Sequence, residues 1–181
     1  DEGKQVEAIE YYDKAISLKP DSAEAFYNKG HSLSELGRYN DALKCYDKVI
    51  FLKPDYAKAY FNKGNALQEM KRYDEAIVCY DKSISLDPDY ANTYFEKGNT
   101  LKSMRKKEEA VGCYEKAISL NPGHKEASHN RDATLNEMPT NWREKTLISQ
   151  NTSLLKRENK TTYLSWLIYK ILSLIAFKLA N

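Results

Sequence analysis

A fixed interval of 34 residues runs through most of this 181-residue chain. Four of the five prolines and all three cysteines recur at that interval. Residues 23–56 are identical to residues 57–90 at 19 of 34 places, and residues 91–124 are identical to residues 57–90 at 17 of 34. Self-similarity at such a period indicates stacked copies of one supersecondary unit. The recurring residues are Pro20, Pro54, Pro88 and Pro122, with Cys45, Cys79 and Cys113.

Each unit predicts two amphipathic helices joined by a short turn. In residues 57–90, two separate stripes of apolar or small residues follow the i, i+4, i+7 spacing of one helical face. The proline follows the second helix, where it ends that helix because it cannot continue the hydrogen-bond pattern. The two stripes are Tyr60, Gly64 and Leu67, then Ala76, Tyr80 and Ser83.

This pattern resembles the tetratricopeptide repeat, which has characteristic residues at unit places 4, 8, 11, 20, 24, 27 and 32. The resemblance implies an all-α fold, a right-handed superhelical solenoid of antiparallel helix pairs. Small residues at places 8 and 20 let paired helices approach, and the aromatic residue at place 24 fills the adjoining space. The matching residues are Phe26, Gly30, Leu33, Ala42, Tyr46, Val49 and Pro54 in the first full unit, Tyr60, Gly64, Leu67, Ala76, Tyr80, Ser83 and Pro88 in the second, and Tyr94, Gly98, Leu101, Ala110, Tyr114, Ala117 and Pro122 in the third.

The resemblance covers residues 1–138 and divides them into units. A half unit at 1–22 precedes full units at 23–56, 57–90 and 91–124, and an eroded capping unit follows at 125–138. The half unit lacks its first helix, so we expect an exposed apolar face there and an array that continued upstream. Beyond the array we predict a basic polar linker at 139–160 and a hydrophobic C-terminal helix at 161–181.

The C-terminal segment leaves three interpretations open. Of residues 163–180, 14 of 18 are apolar or aromatic, close to the ~20 that span a bilayer. Lys170 near its centre costs roughly 3 kcal/mol and offsets most of the gain from Leu, Ile and Phe. The segment is a membrane tail anchor, a helix that packs on the array, or a non-native sequence. Three cysteines suit a reducing compartment, so we predict a cytoplasmic protein, or one at the cytoplasmic face of a membrane.

The resemblance further implies that the first helices line a concave groove, with unit places 2, 5, 6, 9, 12 and 13 facing it. Places 5, 6 and 9 form an aromatic column and an amide column. Asparagine amides both donate and accept, so such a row can pair with the main chain of an extended peptide, while aromatic rings add stacking. The alternative is that these residues only pack locally. The predicted groove residues are Tyr27, Asn28, His31, Phe61, Asn62, Asn65, Phe95, Glu96, Asn99 and Asn130.

One known ligand class of the family is disfavoured. Relatives that hold the C-terminal carboxylate of heat-shock chaperones use Lys at place 5 and Asn at place 9, Asn at place 6 of the next unit, and then Lys at place 2 and Arg at place 6. Whether these five places are aligned from the first or from the second full unit, only one of the five residues in this sequence matches. Glu96 stands where a cation is needed and would repel a carboxylate. The sequence therefore argues against a chaperone tail.

Other function classes find little support. A net charge of +2 argues against a dedicated nucleic-acid binder. The sequence shows no phosphate-binding loop, nucleophile elbow or zinc-protease motif, and the repeated cysteines are too far apart for disulfides. We therefore predict no enzyme activity, no cofactor and no metal, and a scaffold that binds an extended peptide of a partner. Two alternatives remain: a substrate-recognition arm of a larger enzyme such as a glycosyltransferase, and a tail-anchored membrane adaptor.

Overall fold

The computed structural model describes residues 2–139, which form eight α-helices and contain no strand. Residues 1–134 belong to one compact unit; a second comprises residues 135–181, of which 135–139 are described. The predicted helix at 161–181 and residues 140–160 of the predicted linker lie outside the described range. The helices are α1 Glu2–Leu18, α2 Ala23–Glu35, α3 Tyr39–Leu52, α4 Ala57–Glu69, α5 Tyr73–Leu86, α6 Ala91–Ser103, α7 Lys107–Leu120 and α8 Lys125–Asn136.

The turn inside each full unit is set by one residue in the left-handed backbone region. Gly37, Lys71 and Arg105 have φ of 71°, 59° and 62°. After each of them, a backbone N–H bonds back to the preceding helix; that of Arg72, for example, donates to Leu67 O at 2.9 Å. This is a helix-ending turn that glycine adopts most easily, and the two basic residues adopt it against their preference.

The two helices of each unit form the closest pairs in the described chain, α2 with α3, α4 with α5 and α6 with α7. Helix α1 also packs on α2, α3 on α4 and α5 on α6, and α2 contacts α4 as α4 contacts α6. The prediction of an all-α solenoid of antiparallel helix pairs is therefore confirmed.

The tyrosine at place 24 occupies the centre of each helix pair. Tyr46, Tyr80 and Tyr114 are at most 1% exposed. In the second full unit the glycine at place 8 is Gly64, and a β-carbon built on it would lie 2.6 Å from the Tyr80 ring. The aromatic ring thus rests directly on the glycine, as the size pattern of the repeat predicts.

A ladder of ion pairs joins successive units on another face. Lys29 pairs with Asp13, Lys63 with Asp47 at 2.5 Å, and Lys97 with Asp81 at 2.5 Å. Each lysine lies at place 7 of one unit and each aspartate at place 25 of the unit before. Such partly exposed pairs contribute about 0–1 kcal/mol each, but they hold the lysines of α2, α4 and α6 in a fixed direction.

Candidate peptide-binding groove

The predicted aromatic column lies between neighbouring rings. Phe61 packs on Tyr80 of its own unit with ring centroids 6.3 Å apart, and on Tyr90 at place 34 with centroids 5.3 Å apart. Place 5 makes the same two contacts in the other units, and its three rings are all half-buried. These aromatic side chains thus serve the packing within their own units and keep part of their surface exposed. The corresponding pairs are Tyr27 with Tyr46 (6.3 Å) and Tyr56 (5.3 Å), and Phe95 with Tyr114 (6.1 Å) and His124 (4.7 Å).

The asparagine at place 9 is held by the buried tyrosine. Tyr80 donates its hydroxyl to Asn65 Oδ1 at 2.8 Å, and Tyr114 donates to Asn99 Oδ1 at 2.9 Å. In the first full unit His31 stands at this place and is exposed, so the hydroxyl of Tyr46 pairs with Ser34 Oγ at 3.2 Å instead. Each amide at place 9 is therefore orientated by the core beneath it.

The asparagine at place 6 reaches back to the preceding unit. Asn62 Nδ2 donates to Tyr27 Oη at 2.9 Å, and Asn130 Nδ2 donates to Asn99 Oδ1 at 2.9 Å. Glu96 takes this place in the third unit, where it accepts from Asn99 Nδ2 at 3.1 Å. The amide column thus bonds across to the preceding unit at Asn62 and Asn130, whereas Glu96 bonds within its own unit.

Part of that polar capacity is unused. Asn62 Oδ1 and Asn65 Nδ2 make no hydrogen bond within residues 2–139, and the half-buried Asn28 makes none with its side chain there. One acceptor and one NH₂ donor group therefore remain on neighbouring side chains of α4. This pair of opposite polarities is what a peptide main chain can engage.

A cleft of about 270 Å³ collects several of these groups between the first and second full units. It unites the predicted residues His31, Asn62 and Asn65. It also brings in Glu35 and Glu69 at place 13 and Tyr39 at place 17, which the sequence analysis did not single out. Place 13 belongs to the family's groove positions, so a signal for the two glutamates was present. The lining is His31, Ser34, Glu35, Tyr39, Tyr46, Asn62, Asn65, Ala66 and Glu69.

The carboxylates at the cleft differ from those of the ion-pair ladder. Glu69 makes no ion pair or side-chain hydrogen bond among the described residues. Among the described residues, Glu35 contacts only His31, with Nδ1 3.7 Å from Oε1, and the amide of Gln5. Within residues 2–139 no lysine or arginine pairs with either glutamate, and Lys29 and Lys63 pair with aspartates instead. This side of the array therefore carries negative charge.

Burial and the nearby glutamates both raise the pKa values of Tyr46 and Tyr80. Burial raises the pKa of Tyr46 to about 12, and Glu35 adds to the rise. Burial also raises the pKa of Tyr80, with Glu96 and Glu69 contributing. Glu35 and Glu69 line the same cleft as Tyr46 and are exposed at its surface.

A second cleft, of about 400 Å³, lies between α1, α2 and α3. Its charged groups are neutralised: Lys29 pairs with Asp13, and Arg38 and Lys44 both bond Asp41, at 2.8 and 3.0 Å. The cysteines are also unpromising as reactive groups, because burial raises the pKa of the Cys45, Cys79 and Cys113 thiols. The groove cleft is therefore the better candidate site.

Two kinds of feature are absent from residues 2–139, the part of the chain that the structure describes. No cluster there brings together three or more His, Cys, Asp or Glu side chains in a way that could hold a metal ion. None of the eight helices has the length and apolarity that crossing a membrane requires.

Comparison with known families now identifies the repeat. A tetratricopeptide repeat model matches residues 57–90 and 91–124, and a TPR repeat model matches residues 1–37 and 30–71. The chain belongs to the tetratricopeptide repeat family. Among the curated proteins, none matches the sequence.

Solved structures agree on the fold. A crystal structure of MamA is similar, with 27% identity over 89% of this chain and 93% of that one and a TM-score of 0.73. MamA residues 41 to the end from Desulfovibrio magneticus RS-1 give 23% identity, 85% of each chain and a TM-score of 0.71. The first TPR domain of Spaghetti (RPAP3), bound to the HSP90 peptide SRMEEVD, gives 24% identity over 64% of this chain and 91% of that one, with a TM-score of 0.62.

Proposed function

We propose that this tetratricopeptide protein is an interaction scaffold that holds an extended peptide segment of a partner across its first helices. The observation that carries the proposal is the unused acceptor of Asn62 beside the unused donor of Asn65 at one open cleft. The family assignment supports a scaffold role in general, and the RPAP3 domain is an example of such a fold with a peptide bound.

The hydrogen-bonded support of the two amides favours binding. Tyr80 fixes the oxygen of Asn65, so its NH₂ group is aimed before a ligand arrives. Asn62 is held through its nitrogen instead, because Nδ2 donates to Tyr27 Oη, and its oxygen Oδ1 stays available. Pre-orientated groups lose little conformational entropy on binding. A peptide N–H would bond Asn62 Oδ1, and a peptide carbonyl would accept from Asn65 Nδ2.

The charge of the groove favours a neutral or basic segment. Glu35, Glu69 and Glu96 lie along it without a lysine or arginine partner among the described residues. The peptide bound to the RPAP3 domain carries two adjacent glutamates, and these would meet like charge here. We therefore propose that this groove selects Lys- or Arg-containing segments and rejects acidic tails.

A peptide-library screen on the whole chain, followed by fluorescence anisotropy, tests the main-chain proposal. Asn62→Ala with Asn65→Ala should weaken the selected peptide at least tenfold, since two hydrogen bonds are lost. Asn40→Ala, which removes an exposed amide from α3, is the matched control and should bind as the parent does. Unchanged affinity in the double variant would contradict the proposal.

The remaining alternatives concern sequence outside residues 2–139. An arm of a larger enzyme needs a catalytic domain beyond this chain, and a membrane adaptor depends on residues 163–180. Both stay predictions.

A further inference from the structure

His31 differs from its counterparts in the two following units. It stands at place 9, which holds Asn65 and Asn99 in those units. Both asparagines accept the hydroxyl of a buried tyrosine, whereas the hydroxyl of Tyr46 pairs with Ser34 instead of with His31. The His31 side chain is 53% exposed. It can therefore gain or lose a proton without breaking a hydrogen bond of the core.

The cleft around His31 holds two carboxylates, and its lining within residues 2–139 includes no lysine or arginine. Glu35 lies one turn further along α2, with Oε1 3.7 Å from His31 Nδ1. Glu69 faces the cleft from α4. The other titratable groups of the lining are the hydroxyls of Tyr39 and Tyr46 on α3, and α1 contributes the neutral amide of Gln5, which donates to Glu35.

The charge of this cleft depends on whether His31 is protonated. Histidine is the side chain whose charge ordinarily changes between pH 5 and 8, whereas carboxylates are ionised and tyrosine hydroxyls neutral over most of that range. With His31 neutral, the cleft carries the negative charges of Glu35 and Glu69. With His31 protonated, its imidazolium stands beside Glu35 and offsets one of the two. Protonation thus changes the charge of the cleft as much as the loss of one carboxylate would.

We propose that His31 makes the selection of basic segments dependent on pH. Near pH 7.5 the cleft favours Lys- or Arg-containing peptides, and acidification to pH 5.5 weakens that preference. The inference rests on the proposed function, because a protonated histidine and a peptide cation compete for the same two carboxylates. Protonation and the binding of a basic peptide are linked, so each disfavours the other to the same degree. The main-chain bonds to Asn62 and Asn65 involve neutral amides, so they hold at both pH values.

The test compares eight-residue peptides at pH 7.5 and pH 5.5. The fluorescent probes share one sequence selected by the library screen and differ only in a central Lys-Lys, Ser-Ser or Glu-Glu pair. For the full chain, we expect the ratio of the dissociation constants of the Glu-Glu and Lys-Lys peptides to fall about threefold to tenfold on acidification, since one charge is offset. The Ser-Ser peptide should bind equally at both pH values, which also shows that the groove is intact at both.

Variants of the protein assign the effect to His31. His31→Asn, which installs the residue of the following units, should remove the pH dependence and keep the preference for Lys-Lys at both pH values. His31→Gln is a second neutral variant and should behave in the same way. His129→Asn is the matched control, because His129 is exposed on α8 and does not line the cleft; its pH dependence should be that of the parent.

Three results would overturn the inference: a ratio that does not fall in the parent, a fall of equal size in both His31 variants, or a Ser-Ser affinity that changes as much as the others. A preference for Lys-Lys at pH 7.5 that persists at pH 5.5 would leave the proposed function standing and overturn this inference alone. A parent that binds none of the three peptides at pH 7.5, or binds all three equally, would contradict the proposed function itself and this inference with it.

Discussion

A β-carbon built on Gly64 would lie 2.6 Å from Cε1 and 2.8 Å from Cδ1 of Tyr80, a residue with no exposed surface. Both atoms belong to a rigid ring in the core, so the ring cannot swing aside as a flexible chain end can. The contact explains why helices α4 and α5 lie as close as they do. It also makes the glycine a structural requirement of the pair.

Gly64→Ala should therefore destabilise the protein. Overpacking a core contact costs about 1–3 kcal/mol, which outweighs the roughly 1 kcal/mol that alanine gains over glycine in a helix. Gly112→Ala is the matched control, since nothing lies within 4 Å of a β-carbon built there on α7; it should be neutral or stabilising. Urea denaturation followed by circular dichroism compares the two, and equal midpoints would contradict the steric argument.

The buried hydroxyl of Tyr46 should make the fold sensitive to alkali. Burial raises its pKa from about 10 to about 12. The folded state then holds this proton more tightly than the unfolded state. The stability it contributes is fully present below pH 10 and is lost as the pH rises through 12. A rise of two pKa units corresponds to a free energy of about 3 kcal/mol.

Denaturation midpoints measured between pH 8 and 12 test this directly. Tyr46→Phe loses the hydrogen bond to Ser34 and should start about 1 kcal/mol less stable. Its stability should nevertheless fall less steeply between pH 10 and 12. Parallel pH profiles for the parent and the variant would show that Tyr46 does not carry the effect.

The repeat, the helix pairs and the glycine–tyrosine packing were predictable from sequence, because a 34-residue period fixes the sizes of side chains that must meet. The left-handed turns at Lys71 and Arg105 were not, since only Gly37 carries the usual residue preference for that backbone. The sequence also did not show which atom of each asparagine amide is already hydrogen-bonded within the protein. Which atom of Asn65 is used depends on Tyr80, 15 residues further along the chain.

The acidity of the groove was only partly predictable. Glu96 was recognised from its place in the unit, but Glu35 and Glu69 were not singled out. Their charge matters because Lys29 and Lys63, on the same helices, are held by Asp13 and Asp47 of the preceding second helices. The direction of these two lysine side chains is set by packing between units, and the sequence of a single unit does not show that packing.

The three thiols should resist modification in the folded protein. Burial raises the pKa of each, and the thiolate is the reactive form. Cys113 is the most accessible and Cys45 and Cys79 are buried, so Cys113 should react first. Single-cysteine variants treated with Ellman's reagent at pH 8, with and without urea, check the order. Reaction of Cys45 at the rate of the unfolded chain would contradict the burial argument.

The charge preference of the groove can be separated from its main-chain binding. Three eight-residue peptides that share one selected sequence, apart from Lys-Lys, Ser-Ser or Glu-Glu at the centre, provide the comparison. We expect the Lys-Lys peptide to bind best and the Glu-Glu peptide worst, with the difference shrinking at high salt because exposed charges are screened.

Glu69→Gln should then reduce the ratio of the dissociation constants of the Glu-Glu and Lys-Lys peptides by about threefold to tenfold. The Ser-Ser peptide should bind as before, since the variant removes charge and keeps the shape of the cleft. Glu75→Gln is the matched control, because its carboxylate is already paired with Arg72 at 2.7 Å, and it should leave the ranking unchanged. If Glu69→Gln lowered the affinity for all three peptides alike, Glu69 would act through the shape of the cleft. The proposed selection of basic segments would then be wrong, while the proposed main-chain binding would not be contradicted.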